Sequence, residues 1–375
     1  MSWKRISIEA VVSCSAFIGG RAAKSAKDPS SIFVLRNNDI GDLLIVTPLF
    51  EALKRMFAQT KIIAGIGSWN KPVLLNNPWV DEVLSINAPW HNKQVCQSPH
   101  NSLRGLLNSL RYIFTSDEAR FLKRRKCGIG IDVLGSPEGA LLMMRAGVPW
   151  RLGVKGYAGG HSACQQNVIF DEQTQVGRAA LKFAELLGAT RLPESRPQLF
   201  LVESEKAQAR KTWNALERHG KTRSTCILIA PGGGLTEKSW PQENYRELAR
   251  KLAFRPNVKI LVVGGESDYE LGEFVKGGSD LVANMCGKTS LRETFALIWA
   301  AQGVVCNSSM VLHAAAAFDK PTVVLLGKTF ASAQKHKQLW GYGANDLHLG
   351  RETVHDPITA PDEVWPILKA HLGLG

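Results

Sequence analysis

The chain has 375 residues, a formal net charge of +13, and 45% hydrophobic against 21% charged residues. That balance excludes an intrinsically disordered chain, and the length accommodates two domains with substantial cores. Residues 1–200 hold 25 Lys/Arg against 15 Asp/Glu and the remainder 21 against 18, so the basic half is N-terminal and points to an anionic partner.

Seven scattered cysteines, an odd number, argue against a disulfide framework and for a reducing, cytoplasmic setting. No Cys-x-x-Cys pair and no His/Cys group with zinc spacing occurs, so no metal site is expected. Residues 1–27 contain Lys4 and Arg5 before a modestly apolar run interrupted by Glu9 and serines. They read as an N-terminal extension (residues 1–30) or peripheral helix, a targeting segment being the competing reading; no segment has the length and apolarity of a transmembrane span.

In chain order, residues 32–35 predict a strand, 36–41 a turn and 43–57 a helix. Residues 61–66 and 83–86 predict strands, and 87–101 a loop around Pro89 and Pro99. A helix over 103–122 and a strand over 128–134 follow. The basic run Lys123-Arg124-Arg125-Lys126 reads either as a solvated helix end or as a binding patch. No zinc-finger, RNP or helix-turn-helix signature surrounds it, so no nucleic-acid partner is expected. The Pro-rich bend at 193–197 predicts the linker between a domain over 31–196 and one over 197–375. Beyond it, strands are predicted at 226–230, 259–263, 303–306 and 322–326, with helices between. Alternation of strand and helix in both halves predicts an α/β architecture: two Rossmann-like domains with parallel sheets and a cleft between them.

Ligands of such sheets sit at the carboxyl ends of strands, where this chain carries its distinctive residues. After the strand at 226–230 stands Pro231-Gly232-Gly233-Gly234-Leu235-Thr236-Glu237-Lys238. A glycine loop between strand and helix presents backbone N–H groups to an anion, and Lys238 adds a pairing charge. It fits neither the Walker A nor the G-x-G-x-x-G pattern, and a flexible surface turn is the competing reading. Ser308 and Ser309 precede a small-residue helix and read as helix caps or as hydroxyls for a diphosphate. Glu266 reads as a ribose acceptor or a solvated strand-end residue, and His313 as a packed helix residue or a site residue. In the N-terminal half, Asp42 opens the first helix. It reads as a dipole-stabilising carboxylate or as a base facing the cleft.

Taken together, Ile40-Gly41-Asp42-Leu43 through Thr47-Pro48, Ile131-Asp132-Val133 with Gly135-Ser136, Arg151-Leu152-Gly153, Pro231-Gly232-Gly233-Gly234 through Lys238-Ser239-Trp240-Pro241, Val263-Gly264-Gly265, Cys286-Gly287-Lys288-Thr289 and Asn307 through Ala317 resemble glycosyltransferase family 9, the ADP-heptose:lipopolysaccharide heptosyltransferases. The resemblance implies a GT-B fold, with the acceptor on the N-terminal domain and a nucleotide-sugar donor on the C-terminal one. It places Asp42 at the catalytic base and Lys238 at the phosphate-binding lysine. Glu266 falls on the ribose side and Met285 at the nucleobase edge. Gly232, Gly233, Gly234, Thr236, Ser308, Ser309 and His313 complete the donor set, and no acceptor-binding residue is singled out.

The implied activity is inverting transfer of a sugar, heptose from ADP-heptose, to a lipopolysaccharide core or related anionic, lipid-linked glycan. It needs no cofactor, and the enzyme would work in the cytoplasm or peripherally at the inner membrane. The sequence contains no Asp-x-Asp with which to hold a metal. Two departures bear on the donor. The family pattern Asn-Asp-Ser/Thr-Gly-x-x-His reads here Asn307-Ser308-Ser309-Met310-Val311-Leu312-His313, with Ser308 in place of aspartate and Met310 in place of glycine. Two hydroxyl-bearing positions of the family fall on Gly233 and Gly234. A GT-B-like UDP-sugar epimerase, which would bring further acid/base carboxylates, and a non-catalytic nucleotide-sugar-binding relative, which would tolerate loss of Asp42, remain as alternatives.

Overall fold

A computed structural model describes residues 29–95, 102–216, 224–234 and 236–374. The extension read at 1–27 and the end of the 87–101 loop lie outside the described residues. The chain divides into two compact units between Ser195 and Arg196, inside the 193–197 bend.

The first unit contains β1 (Ser31–Leu35), β2 (Lys61–Ile66), β3 (Glu82–Ser85), β4 (Ile129–Asp132), β5 (Trp150–Lys155) and β6 (Gln166–Ile169). They form one sheet in the order β3-β2-β1-β4-β5-β6, parallel throughout. The second unit contains β7 (Thr225–Ala230), β8 (Val258–Val262), β9 (Val282–Asn284), β10 (Gly303–Cys306), β11 (Thr322–Leu325) and β12 (Asp346–Leu349). Its order is β12-β11-β10-β7-β8-β9, again all parallel. Each unit therefore winds outward from its first strand and then restarts on that strand's other side, which is the doubly wound α/β topology. The central strands read as continuous apolar runs, SIFVL and GVVC, and every residue in them is buried. Helices covering both faces of a parallel sheet demand that composition, whereas a one-sided sheet would alternate.

The restart leaves a crevice outside the carboxyl ends of β1 and β4, and another outside β7 and β10. Asp42 falls at the first place, and the glycine loop, Lys238, Ser308 and Ser309 at the second. The 17-residue helix Ile40–Met56 follows β1 and buries Leu43 to Leu53. The helix Gln242–Ala253 follows β7 and buries Tyr245, Leu248, Ala249, Leu252 and Ala253, one face at helical spacing.

The helix expected over 103–122 is two helices, Leu103–Thr115 and Asp117–Arg125. Ser116 is the cause. Its extended backbone (φ −69°, ψ 148°) stops the first helix, and its Oγ accepts the Ala119 amide at 3.1 Å to cap the second. Apolar spacing continues across the break, so periodicity alone does not reveal it. Lys123, Arg124 and Arg125 form the last turn of the second helix, where cations complement the carbonyl end, and Arg125 pairs with Glu82 at 2.6 Å. Strands β5, β6, β9 and β12 are not anticipated by the sequence reading. They lie outside the central strands and mix polar with apolar residues, so they do not register as apolar runs.

Replacing Ser116 by Ala should lower the stability of the first unit by about 1 kcal/mol through the lost cap. Urea unfolding of the two proteins measures this; equal midpoints would show that something other than the cap sets the break.

Candidate functional site

The second unit assembles its site around Asn307, the residue following β10. β10 lies beside β7 with Cys306 level with Ala230, so Asn307 sits next to the start of the glycine loop. Its side chain is 1% exposed and uses both ends. Nδ2 donates to the Pro231 carbonyl at 2.5 Å and reaches that of Gly232 at 3.3 Å. Oδ1 accepts from the Trp240 amide and the Tyr245 hydroxyl, each at 2.9 Å. One amide thus ties the loop's entry, its exit and the first turn of the helix Gln242–Ala253 to a single strand end.

Between these anchors, Gly233, Gly234, Thr236 and Lys238 are exposed. Thr236–Lys238 forms a single 3-10 turn. No carboxylate pairs with the Lys238 ammonium among the described residues. Its backbone is fixed from the other side of the sheet: the Lys238 carbonyl accepts the Gly327 amide at 3.1 Å, and the Glu237 carbonyl accepts the Thr329 hydroxyl at 2.7 Å. Gly327 must be glycine because a Cβ there would lie 2.4 Å from the Ser239 carbonyl oxygen. Gly232 is favoured by space rather than by φ, since a Cβ there would lie 2.6 Å from the Asp268 carboxylate and displace it. Asp268 in turn accepts the Gly265 amide at 2.8 Å, which couples the loop after β8 to the glycine loop.

Glu266 is exposed at the head of the turn Glu266–Asp268. Beside it, Met285 bonds through its amide to Val262 O at 2.9 Å and Gly287 to Gly264 O at 3.1 Å. The structure therefore groups Glu266 and the half-buried Met285 at the ends of β8 and β9, adjoining the glycine loop.

Ser309 caps the helix Met310–Ala317, its Oγ accepting the Val311 amide at 3.4 Å. His313 lies one turn further on, 6% exposed, with Nδ1 2.7 Å from the Tyr342 hydroxyl. Ser308 does something the sequence reading missed. Its Oγ lies 2.8 Å from His336 Nε2, His336 Nδ1 lies 2.7 Å from His348 Nδ1, and His348 Nε2 lies 3.0 Å from Asp346 Oδ2. His336, His348 and Asp346 are all buried. Burial above all pushes the His336 pKa down to about 3. Lys238 opposes its protonation as well.

In the first unit Asp42 is the third residue of its helix. Its Oδ2 accepts the Asp39 amide at 3.3 Å and its Oδ1 the Arg36 guanidinium at 3.0 Å. The side chain remains 35% exposed, so the carboxylate stabilises the helix start while keeping a solvent-facing surface. The preceding loop is pinned by Asn37 Nδ2 to Trp90 O at 3.3 Å and Asn38 Nδ2 to His91 O at 2.7 Å. At the end of β4, Asp132 is 2% exposed and accepts the Ser136 amide (2.8 Å), the Ser136 hydroxyl (2.9 Å) and the Leu134 amide (3.0 Å).

Asn307, Asp132, His336, His348 and Asp346 were not assigned roles by the sequence reading. A polar residue immediately after, or ending, a central apolar strand is the signal that finds the first two. The histidines lie 28 and 40 positions beyond Ser308, and only the pairing of β11 with β12 brings them near. Asn307→Ala should destabilise the second unit by about 3 kcal/mol, because Tyr245 and the Trp240 amide lose their acceptor in a dry interior. Chemical denaturation checks the value; a loss below about 1 kcal/mol would mean that the loop is held by other means.

Comparison with known proteins places this geometry. The model of glycosyltransferase family 9 (heptosyltransferase) matches residues 118–357. Lipopolysaccharide heptosyltransferase 2 of Salmonella typhimurium is 26% identical over 323 residues, covering 82% of this chain and 86% of the relative. The chain is also similar in fold to a glycosyl transferase family 9 structure from Veillonella parvula, with a TM-score of 0.72 at 19% identity over 95% of this chain and 100% of that one. The structure of Escherichia coli ADP-heptose lps heptosyltransferase II gives 0.68 at 20% identity over 92% and 99%. Two six-stranded parallel sheets with helices on both faces are, with these likenesses, the GT-B fold.

Proposed function

Since the chain belongs to glycosyltransferase family 9 and is a glycosyltransferase, we propose that it transfers heptose from ADP-heptose, with inversion, to a phosphorylated lipopolysaccharide-core acceptor. The observation that carries the donor half is the convergence, at the ends of β7 and β10, of the exposed glycine loop, the Lys238 ammonium and the start of the helix Met310–Ala317. Amide N–H groups, a helix N-terminus and a lysine are the complement of a diphosphate. Glu266 and Met285, grouped at the neighbouring strand ends, take the ribose and base sides of the nucleotide.

In this reading the acceptor hydroxyl oxygen attacks the anomeric carbon from the face opposite the diphosphate. The new C–O bond forms as the bond to the leaving phosphate oxygen breaks, and Asp42 receives the hydroxyl proton. Arg36 and the Asp39 amide orient the Asp42 carboxylate for that step. Lys238 and the loop amides stabilise the charge that grows on the nucleoside diphosphate, so no metal or organic cofactor enters the scheme. Asp42→Ala should abolish turnover while leaving ADP affinity within a few-fold, and Lys238→Ala should instead weaken ADP binding by about tenfold. Calorimetry with ADP, UDP and GDP, alongside a transfer assay, separates these outcomes. Persisting turnover in the Asp42 variant removes it as base, and selective UDP or GDP binding replaces the donor.

The acceptor half rests on charge and surface. The helix Leu103–Thr115 exposes Leu103, Leu107 and Phe114, and Phe121 is exposed on the next helix. Arg104, Arg111, Lys123 and Arg124 are exposed among them. Apolar side chains interleaved with cations suit the interface of an anionic membrane, where a lipid-linked acceptor is met. No helix among the described residues is long and apolar enough to cross a membrane, which leaves peripheral contact as the proposed mode. The double change Leu107→Glu, Phe114→Glu should reduce co-sedimentation with phosphatidylglycerol vesicles severalfold without lowering ADP affinity; undiminished vesicle binding would place the contact elsewhere.

A further inference from the structure

The polar chain behind Ser308 has a direction that hydrogen-bond chemistry assigns. Asp346 accepts the Tyr342 amide at 3.0 Å on Oδ2 and the Gly343 amide at 2.9 Å on Oδ1. Burial works against its charge, yet the His348 hydrogen bond and the Tyr342 amide hold the carboxyl below its ordinary value. It is therefore an acceptor only, and His348 Nε2, 3.0 Å away, carries a proton. A neutral imidazole protonated at Nε2 has a lone pair at Nδ1. With His348 taken as neutral, that lone pair faces His336 Nδ1 at 2.7 Å, and the single proton between the two rings then belongs to His336. His336 Nε2 is left with a lone pair, and Ser308 Oγ, 2.8 Å away, gives its one proton to it.

We propose that Asp346, His348 and His336 fix Ser308 as a hydrogen-bond acceptor toward the bound donor, where it accepts from a hydroxyl of the transferred sugar. Ser308 is partly exposed, and two lone pairs remain on its oxygen for a ligand. A phosphate oxygen offers only lone pairs and cannot satisfy it. The diphosphate is then left to the glycine-loop amides, Lys238 and Ser309, whose cap uses only an acceptor site and keeps its hydroxyl proton. A sugar hydroxyl supplies the proton that Ser308 lacks. Ser308 stands where the family pattern has an aspartate, and the chain gives a neutral side chain the same acceptor sense. It is not a nucleophile activator: with its pKa pushed down to about 3, chiefly by burial, His336 takes no proton from a serine at neutral pH. His336 and His348 are positioning residues, and Lys238, His313 and Tyr342 are the other polar groups facing the pair.

The inference rests on the donor reading above, and its test is built in two arms that fail separately. The first needs no donor. Long-range proton–nitrogen correlation of the labelled protein at pH 7.5, assigned with the His336→Phe and His348→Phe variants, reports which ring nitrogen is protonated. His336 protonated at Nδ1 and His348 at Nε2, both neutral, is the expected result. A His336 proton on Nε2, or an imidazolium at His348, reverses the chain and overturns the proposal.

The second arm is calorimetry with ADP and ADP-heptose. Ser308→Ala should weaken ADP-heptose about tenfold and ADP by no more than about twofold, while Ser308→Thr, which keeps the hydroxyl, restores binding. Equal losses for the two ligands, or none, would overturn the sugar contact. A wild-type protein that binds ADP but not ADP-heptose would fail the donor reading and the sugar contact with it, leaving the spectrum to decide the chain's direction.

Discussion

The side-chain amide of Asn307 is the contact on which the second unit's site depends. A glycine loop has no side chains with which to hold its own shape, and its backbone groups must stay free if they are to face a ligand. The ordering must therefore come from the ends of the loop. Asn307 supplies it by presenting a donor to the loop's entry and an acceptor to its exit, in a place where water does not compete. An aspartate would lose the donor and a leucine would lose both. The first unit meets the same need at the topologically equivalent strand: Asp132 ends β4 and gathers the amides of Leu134 and Ser136. The groups it gathers are all donors, two amides and a hydroxyl, so a pure acceptor suffices there. Two sheets of identical strand order have thus placed a buried polar side chain at the same switch point, with the chemistry adjusted to the loop each must hold.

Much of the fold was legible because the central strands are long enough apolar runs to be seen. Residues 61–66 and 303–306 were expected as strands with the bounds the structure shows. Four others were not expected, because a mixed-polarity segment such as Gln166–Ile169 owes its place to backbone pairing with β5 rather than to its own side chains. The helix break at Ser116 was hidden for a related reason: a cap is one hydrogen bond, and the hydrophobic spacing around it did not change.

The candidate site was legible where consecutive residues carry the chemistry, as in the glycine loop with Lys238, or Ser308 with Ser309. It was illegible where chemistry is shared between distant strands. Nothing local to His336 or His348 distinguishes them from packed histidines. Their meaning comes from the mutual orientation of two ring nitrogens, which only the folded sheet defines. Asp42 shows a third case, in which the structural reading describes the surroundings and the proposed chemistry draws on what that reading leaves exposed. The carboxylate does bond the helix start, and it also keeps an exposed edge. The structural duty and the proposed chemical one use different faces of the same group.

The self-contained character of the two sheets has a consequence for how the chain reaches this structure. Among the described residues no strand is shared between them, and the helix Val176–Leu186, which closes the first unit, packs against the helix Ile40–Met56. Every strand of the first sheet has therefore been synthesised by residue 169, before the first strand of the second begins at residue 225. On the ribosome, the N-terminal unit can complete its core while the rest is still being made, as domains generally do. The nascent chain then never has to choose among twelve similar parallel strands at once. Repetition of one topology within a single polypeptide invites mispairing, and the order of synthesis is what separates the two copies.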